Sequence, residues 1–199
     1  MTFDLVIALL GFALVTSVTP GPNNMMLLAS GVNFGFRRTV PHMLGISAGH
    51  SLMVFLVGLG IAGLFRAFPL SVTMLKVASV GYMLWLAWKI ARAGAPGEGA
   101  ARARPMTFLQ AAAFQWVNPK AWAMALGAVT AYVATPSATA YLAVAATFAA
   151  VNLPSVSLWA AAGQGLRRWL DAPARLRAFN WTMAALLVVS LYPVLRLKM

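Results

Sequence analysis

Thr19-Pro20-Gly21-Pro22-Asn23-Asn24 interrupts the first apolar stretch of this chain, and Asn118-Pro119-Lys120, 99 residues further on, interrupts the fourth. Proline has no backbone N–H, so Pro20 and Pro22 leave the carbonyls of Thr16 and Val18 without their i→i−4 helical partners. Gly21 lets the chain turn and exposes its backbone. Pro22 suits the first position of a new helix. In hydrocarbon, such freed groups are tolerated only where protein or a wet cavity satisfies them. A lone proline more often marks a simple packing kink. Breaks at corresponding places in two halves point instead to a transport site.

The composition makes these stretches membrane spans. The chain has 199 residues, 61% hydrophobic and only 9% charged, with mean hydropathy +0.80. A soluble domain of this size needs a charged surface that this chain cannot supply. A span needs about 20 apolar residues, so six use roughly 120–130 and leave short loops. The expected architecture is all-α: an integral membrane bundle of six transmembrane helices filling residues 1–199 as one domain. Spans are expected at about 3–30, 40–64, 70–90, 106–133, 138–166 and 178–195, the first retained rather than cleaved as a signal peptide. Residues 93–105, rich in Gly, Ala and Arg, read as the longest flexible loop, and Arg167–Arg177 as a basic loop.

Charge sets the orientation. Of the basic residues, Arg37, Arg38, Lys89, Arg92, Arg102, Arg104, Arg167, Arg168, Arg175 and Arg177 fall on one side, and Arg66, Lys76, Arg196 and Lys198 on the other. The positive-inside rule puts the richer side in the cytoplasm and both termini outside. The net charge of +12 is therefore a loop property and not a nucleic-acid footprint. Cysteine is absent, which removes disulfides, thiol nucleophiles and cysteine metal sites.

The halves, about 1–92 and 106–199, match weakly. Gly58-Leu59-Gly60 lies 105 residues before Gly163-Gln164-Gly165, and Leu75-Lys76 lies 101 before Leu176-Arg177. Three spans per half turn the second half upside down, as in inverted-repeat transporters with broken helices one and four.

The candidate substrate site gathers Pro20, Gly21, Pro22, Asn23, Asn24, Asn118, Pro119 and Lys120. A new helix's free N–H groups favour an anion such as an amino acid carboxylate. Lys120 sits inside an apolar span, where a lysine costs roughly 2.5–3.5 kcal/mol on insertion scales. It is read either as a cationic contact to a substrate carboxylate or, structurally, as a side chain that snorkels or bonds freed carbonyls near Pro119. His42, Gly45, Gly49 and His50 share a broad face of span two, and Gly45-xxx-Gly49 permits close helix packing. His50, the deeper histidine, is the candidate for a coupling proton, against the blander reading of a satisfied structural donor. The acids Asp4, Glu98 and Asp171 all lie at span ends or in loops. This excludes a mid-membrane carboxylate relay, disfavours dication binding, and leaves no hydrolytic or metal constellation. Gln115, Asn118, Asn152, Gln164 and Asn180 remain as neutral handles that line a cavity or cross-link helices.

Beyond the first break, Gly35-Phe36-Arg37-Arg38, Leu44-Gly45-Ile46-Ser47-Ala48-Gly49, Tyr82-Met83-Leu84-Trp85-Leu86-Ala87-Trp88-Lys89-Ile90-Ala91 and Phe114-Gln115-Trp116-Val117-Asn118-Pro119-Lys120 complete a pattern. With Pro20-Gly21-Pro22-Asn23 it resembles the LysE/RhtB family of amino acid exporters over most of the chain, and within it the cysteine and O-acetylserine branch. The resemblance implies a bacterial inner-membrane efflux protein rather than an enzyme. It further implies coupling to protons, no cofactor, and a homodimer among its expected assemblies. It places the broken-helix residues in the transport core. Family members handling basic amino acids tend to carry an acid near the position of His50, so its absence favours a neutral substrate: cysteine, O-acetylserine, homoserine or threonine. The rivals are a non-transporting helical scaffold, which moves no substrate, and an intramembrane enzyme, for which no catalytic constellation stands in the sequence.

Overall fold

A computed structural model of the chain describes residues 2–61, 63–68, 70–93, 104–170 and 172–192, all helix and short connections. The helices are α1 (Phe3–Val18), α2 (Pro22–Phe34), α3 (Phe36–Gly58), α4 (Gly63–Ala67), α5 (Leu70–Ala91), α6 (Phe108–Phe114), α7 (Pro119–Tyr132), α8 (Ala138–Arg167) and α9 (Pro173–Val189), with a 3-10 turn at Gln115–Val117 between α6 and α7. Most of the loop expected at 93–105, with Glu98 and Arg102, lies outside the described residues, as do Asp171, Arg196, Lys198 and the end of the sixth expected span.

Among the described residues, three helices, α3, α5 and α8, are long and apolar enough to cross a bilayer, and a fourth crossing forms if α1 and α2, bent by 54° at Thr19–Gly21, count as one span. α9, with 17 residues, sits at the short end of the range of about 17–25 for a span. The stretch expected as span four is divided into α6, the 3-10 turn and α7.

The distribution of polarity is that of a protein whose outer solvent is lipid. Leu14, Val15, Leu52, Val77, Leu142, Leu158 and Trp181 are exposed, while Asn24, His42, His50, Gln115, Asn118, Asn152 and Asn180 are buried. Hydrocarbon accepts the apolar side chains, and polar groups must find partners inside.

α8 is the central post and packs on α1, α2 and α3. Small residues let the backbones close. A Cβ on Gly31 would overlap the Ala160 carbonyl, and one on Gly163 would overlap the Leu28 carbonyl, so α2 and α8 cross almost backbone to backbone. Gly45 and Gly49 play the part expected of them: a Cβ on either would run into the α6 backbone at Phe108 or Ala112. α2 and α3 are joined through Gly35 alone, at φ +80, a conformation that favours glycine. Gln164 of α8 fixes this corner, its Oε1 accepting from the Phe36 backbone N–H at 2.6 Å.

Three sequence expectations change. α3 begins at Phe36, earlier than 40, because the Gly35 corner needs no longer linker. Arg175 and Arg177 belong to α9 and not to a loop, because Pro173 supplies a preset first helical position. The match of Gly58 to Gly163 is not one of role: Gly58 ends α3, whereas Gly163 lies within α8 as a packing contact.

The Gly163 seam yields a test. Gly163→Val should destabilise the folded protein by at least the ~1–3 kcal/mol of core overpacking, seen as a lower thermal midpoint in detergent, whereas Gly165→Val, facing open space, should leave it within error.

Candidate functional site

The C-terminus of α1 is the starting point. Its last carbonyls lack helical donors because Pro20 and Pro22 turn the chain away. Side chains from three other helices supply them. Asn24 Nδ2 donates to the carbonyls of Ser17 at 2.8 Å and Thr19 at 2.9 Å. Trp159 Nε1 of α8 donates to Val18 at 3.1 Å. Lys120 Nζ of α7 donates to Thr19 at 2.5 Å. The negative end of the α1 dipole also favours the lysine's charge.

Both breaks restart as helices at a proline. Pro22 follows the extended Gly21, which offers no side-chain cap, and Pro119 follows Asn118, whose Oδ1 accepts from the Lys120 backbone N–H at 3.1 Å. By role, then, Pro119 corresponds to Pro22, and Lys120 to Asn23. Simple sequence matching pairs Pro119 with Pro20. The breaks are tied directly: Asn23 Nδ2 donates to Gln115 Oε1 at 2.9 Å, and Gln115 Nε2 donates back to Asn23 Oδ1 at 3.2 Å. Gln115 is wholly buried and also donates to the Ala111 carbonyl at 2.9 Å.

Around this tie lies a cavity of about 20 Å³ lined by Thr16, Ser17, Gly21, Asn23, Asn24, His50, Asn118, Lys120, Ala121, Met124, Asn152 and Val156. That is room for a water, which needs about 10–15 Å³, and not for an amino acid. The starts of α2 and α7, two positive helix ends, meet here with the negative end of α1. His50 enters from α3, buried against Phe148 with ring centroids 5.0 Å apart at 79°. Neither of its nitrogens has a hydrogen-bond partner, and neither does Asn152 Oδ1. Asn152 Nδ2 donates to Ser17 Oγ at 3.2 Å. Orphaned polar atoms in a buried site mark a place for a water or a ligand group.

Of the residues expected at the site, Gly21, Asn23, Asn24, Asn118, Lys120 and His50 line this one cavity. Pro20 (exposed), Pro22 (buried) and Pro119 (half-buried) shape the breaks without lining it. His42 is elsewhere, eight residues back along α3, about 12 Å at the helical rise. Asn180 is a cross-link: it donates to the Ala93 carbonyl at 2.5 Å and accepts from Asn33 Nδ2 at 3.0 Å. Sequence reasoning missed Ser17 and Trp159. Ser17 precedes Pro20 by three residues, on the last turn of α1, which is the only hint it offered. Nothing local marks Trp159, whose role depends on the α1–α8 crossing.

The LysE type translocator profile matches residues 14–191. The chain is similar to proteins named cysteine/O-acetylserine efflux protein: in Escherichia coli strain K12, 33% identical over 191 residues, covering 94% of this chain and 96% of the relative. In Shigella flexneri the identity is 33% with the same coverage. In Klebsiella pneumoniae it is 30% over 190 residues, covering 94% and 95%. No solved structure matches significantly.

The amide pair can be tested by a double-mutant cycle. Asn23→Leu and Gln115→Leu should each lower stability in detergent unfolding, and the double variant should lose less than the sum, with a coupling near ~1 kcal/mol. Strict additivity would mean that the two side chains do not meet.

Proposed function

Because the chain belongs to the LysE type translocator family, and is thereby a transporter rather than an enzyme, we propose that it exports small neutral amino acids, with cysteine or O-acetylserine first among them. The observation that carries this reading is the convergence of both breaks on one polar cavity, bridged by Lys120 on the Thr19 carbonyl. A zwitterion needs donors for its carboxylate and acceptors for its ammonium within a few ångströms. The N-termini of α2 and α7 and Lys120 supply the first. The α1 carbonyl end supplies the second. In this proposal Lys120 leaves Thr19 as substrate enters, the incoming ammonium takes the carbonyl, and the freed lysine joins the carboxylate.

The same proposal takes α1–α2 and α6–α7 as broken spans one and four, within two inverted halves of three spans each. Rocking one half against the other must part the Asn23–Gln115 pair, and that parting is the switch in access. His50, buried in the cavity wall with unpartnered nitrogens, is the proposed proton carrier. The basic ends of α3, α5, α8 and α9 face the cytoplasm across a bacterial inner membrane.

Efflux of a labelled amino acid panel from cells with and without the protein tests this. Cysteine and O-acetylserine should leave several-fold faster with the protein, and collapse of the proton gradient should remove the difference. Lys120→Met and His50→Ala should each cut efflux at least ~10-fold, equivalent to about 1.4 kcal/mol of barrier, at unchanged membrane levels. No protein-dependent flux for any panel member would refute export, and gradient-driven efflux surviving His50→Ala would remove the proton role.

A further inference from the structure

A second and larger cavity, about 410 Å³, opens at the basic end of the helices and reaches down to His42. Its wall includes Lys89 and Arg92 at the end of α5 and Arg104 just before α6, and no carboxylate is among the described residues that line it. His42, at the bottom, is 2% exposed, and neither of its ring nitrogens has a hydrogen-bond partner. A buried imidazole always carries at least one N–H donor, and an unmet donor in a buried site calls for an acceptor. Cations at the rim and a waiting donor beneath them are complementary to an anionic oxygen group. Lys89 and Arg92 are held in place by stacking on Trp85 at 4.6 Å and Trp88 at 4.7 Å, so the charge at the rim is positioned.

α3 links this vestibule to the central cavity, because His42 lines one and His50 lines the other. α2 does the same, with Asn23 in the central cavity and Met26, Ser30 and Asn33 in the vestibule. On this stretch of α2, Asn23 is tied to Gln115 and Met26 packs with Met83 and Phe114. We propose that the vestibule is a loading site, distinct from the central cavity, that takes the substrate's carboxylate onto His42 beneath the Arg92 and Arg104 rim before the broken helices open. This rests on the export reading above and adds to it where selection begins. A free α-carboxylate is required, and a second positive charge on the substrate is repelled by the rim, so cationic amino acids are turned away here.

The test uses the full-length protein in proteoliposomes, with labelled cysteine loaded on the side of the basic loops. Wild-type flux establishes export independently of this proposal. Arg92→Gln/Arg104→Gln, at two exposed positions, should raise the half-saturating cysteine concentration on that side about tenfold and lower the saturating rate much less. Arg92→Lys/Arg104→Lys should keep the wild-type value, and His42→Gln, which retains a donor, should fall between. Cysteinamide, lacking the carboxylate, should compete poorly with cysteine in the wild type and no worse in the charge-removed variant. Unchanged half-saturation in Arg92→Gln/Arg104→Gln, with wild-type flux intact, would overturn the loading site while leaving export standing. An effect present in vesicles of anionic lipid and absent in those of neutral lipid would assign the rim to phospholipid headgroups and equally overturn it.

Discussion

A carbonyl group deprived of its helical donor inside a bilayer must be given another donor, and the organisation of this protein follows from that requirement. Pro20 and Pro22 end α1 with its last carbonyls unpaired. Asn24, Trp159 and Lys120 converge on them from α2, α8 and α7. Because those donors come from both halves of the sequence, meeting the need of one broken helix pulls the other broken helix against it. The glycine seams of α2 with α8 and α3 with α6 then allow backbones close enough for these short links to form.

The donors differ in how firmly they are committed. Asn24 and Trp159 make neutral bonds from fixed rings or short side chains. Lys120 is a flexible cation whose contact an ammonium from elsewhere could replace. Under the proposed function, a bond of this exchangeable kind, beside His50 and Asn152 with unmet polar atoms, separates the central cavity from a stable polar cross-link such as Asn33 with Asn180. The small volume of the central cavity, about 20 Å³, fits the proposed exchange, in which the lysine would hold the ammonium's place before substrate enters.

Much of this was legible in the residues. The broken motifs, the apolar stretches and the sparse acids mark a helical membrane protein, and the residues around both breaks do meet. What was not legible depended on three-dimensional crossings. Whether Lys120 would serve a substrate or a carbonyl could not be read locally, because its partner is Thr19, 101 residues away. Pairing Pro119 with Pro20 followed letter order, whereas helix geometry pairs it with Pro22. The glycines at 58 and 163 look alike in sequence but do different work, since one closes a helix and the other admits a neighbour. His42 and His50 share a face of α3, yet neighbouring helices divide them between two cavities.

The absence of cysteine in the chain allows the central claim to be examined cleanly. With Asn23 and Gln115 both replaced by cysteine, a short bifunctional thiol reagent applied to native membranes should join the two positions. The link should be visible as an intramolecular fragment bridge after proteolysis between the two positions, and added cysteine-like substrate without a thiol, such as O-acetylserine, should slow its formation. If each single cysteine is labelled by a monofunctional reagent but the pair never joins, the broken helices do not face one another and the shared cavity does not exist.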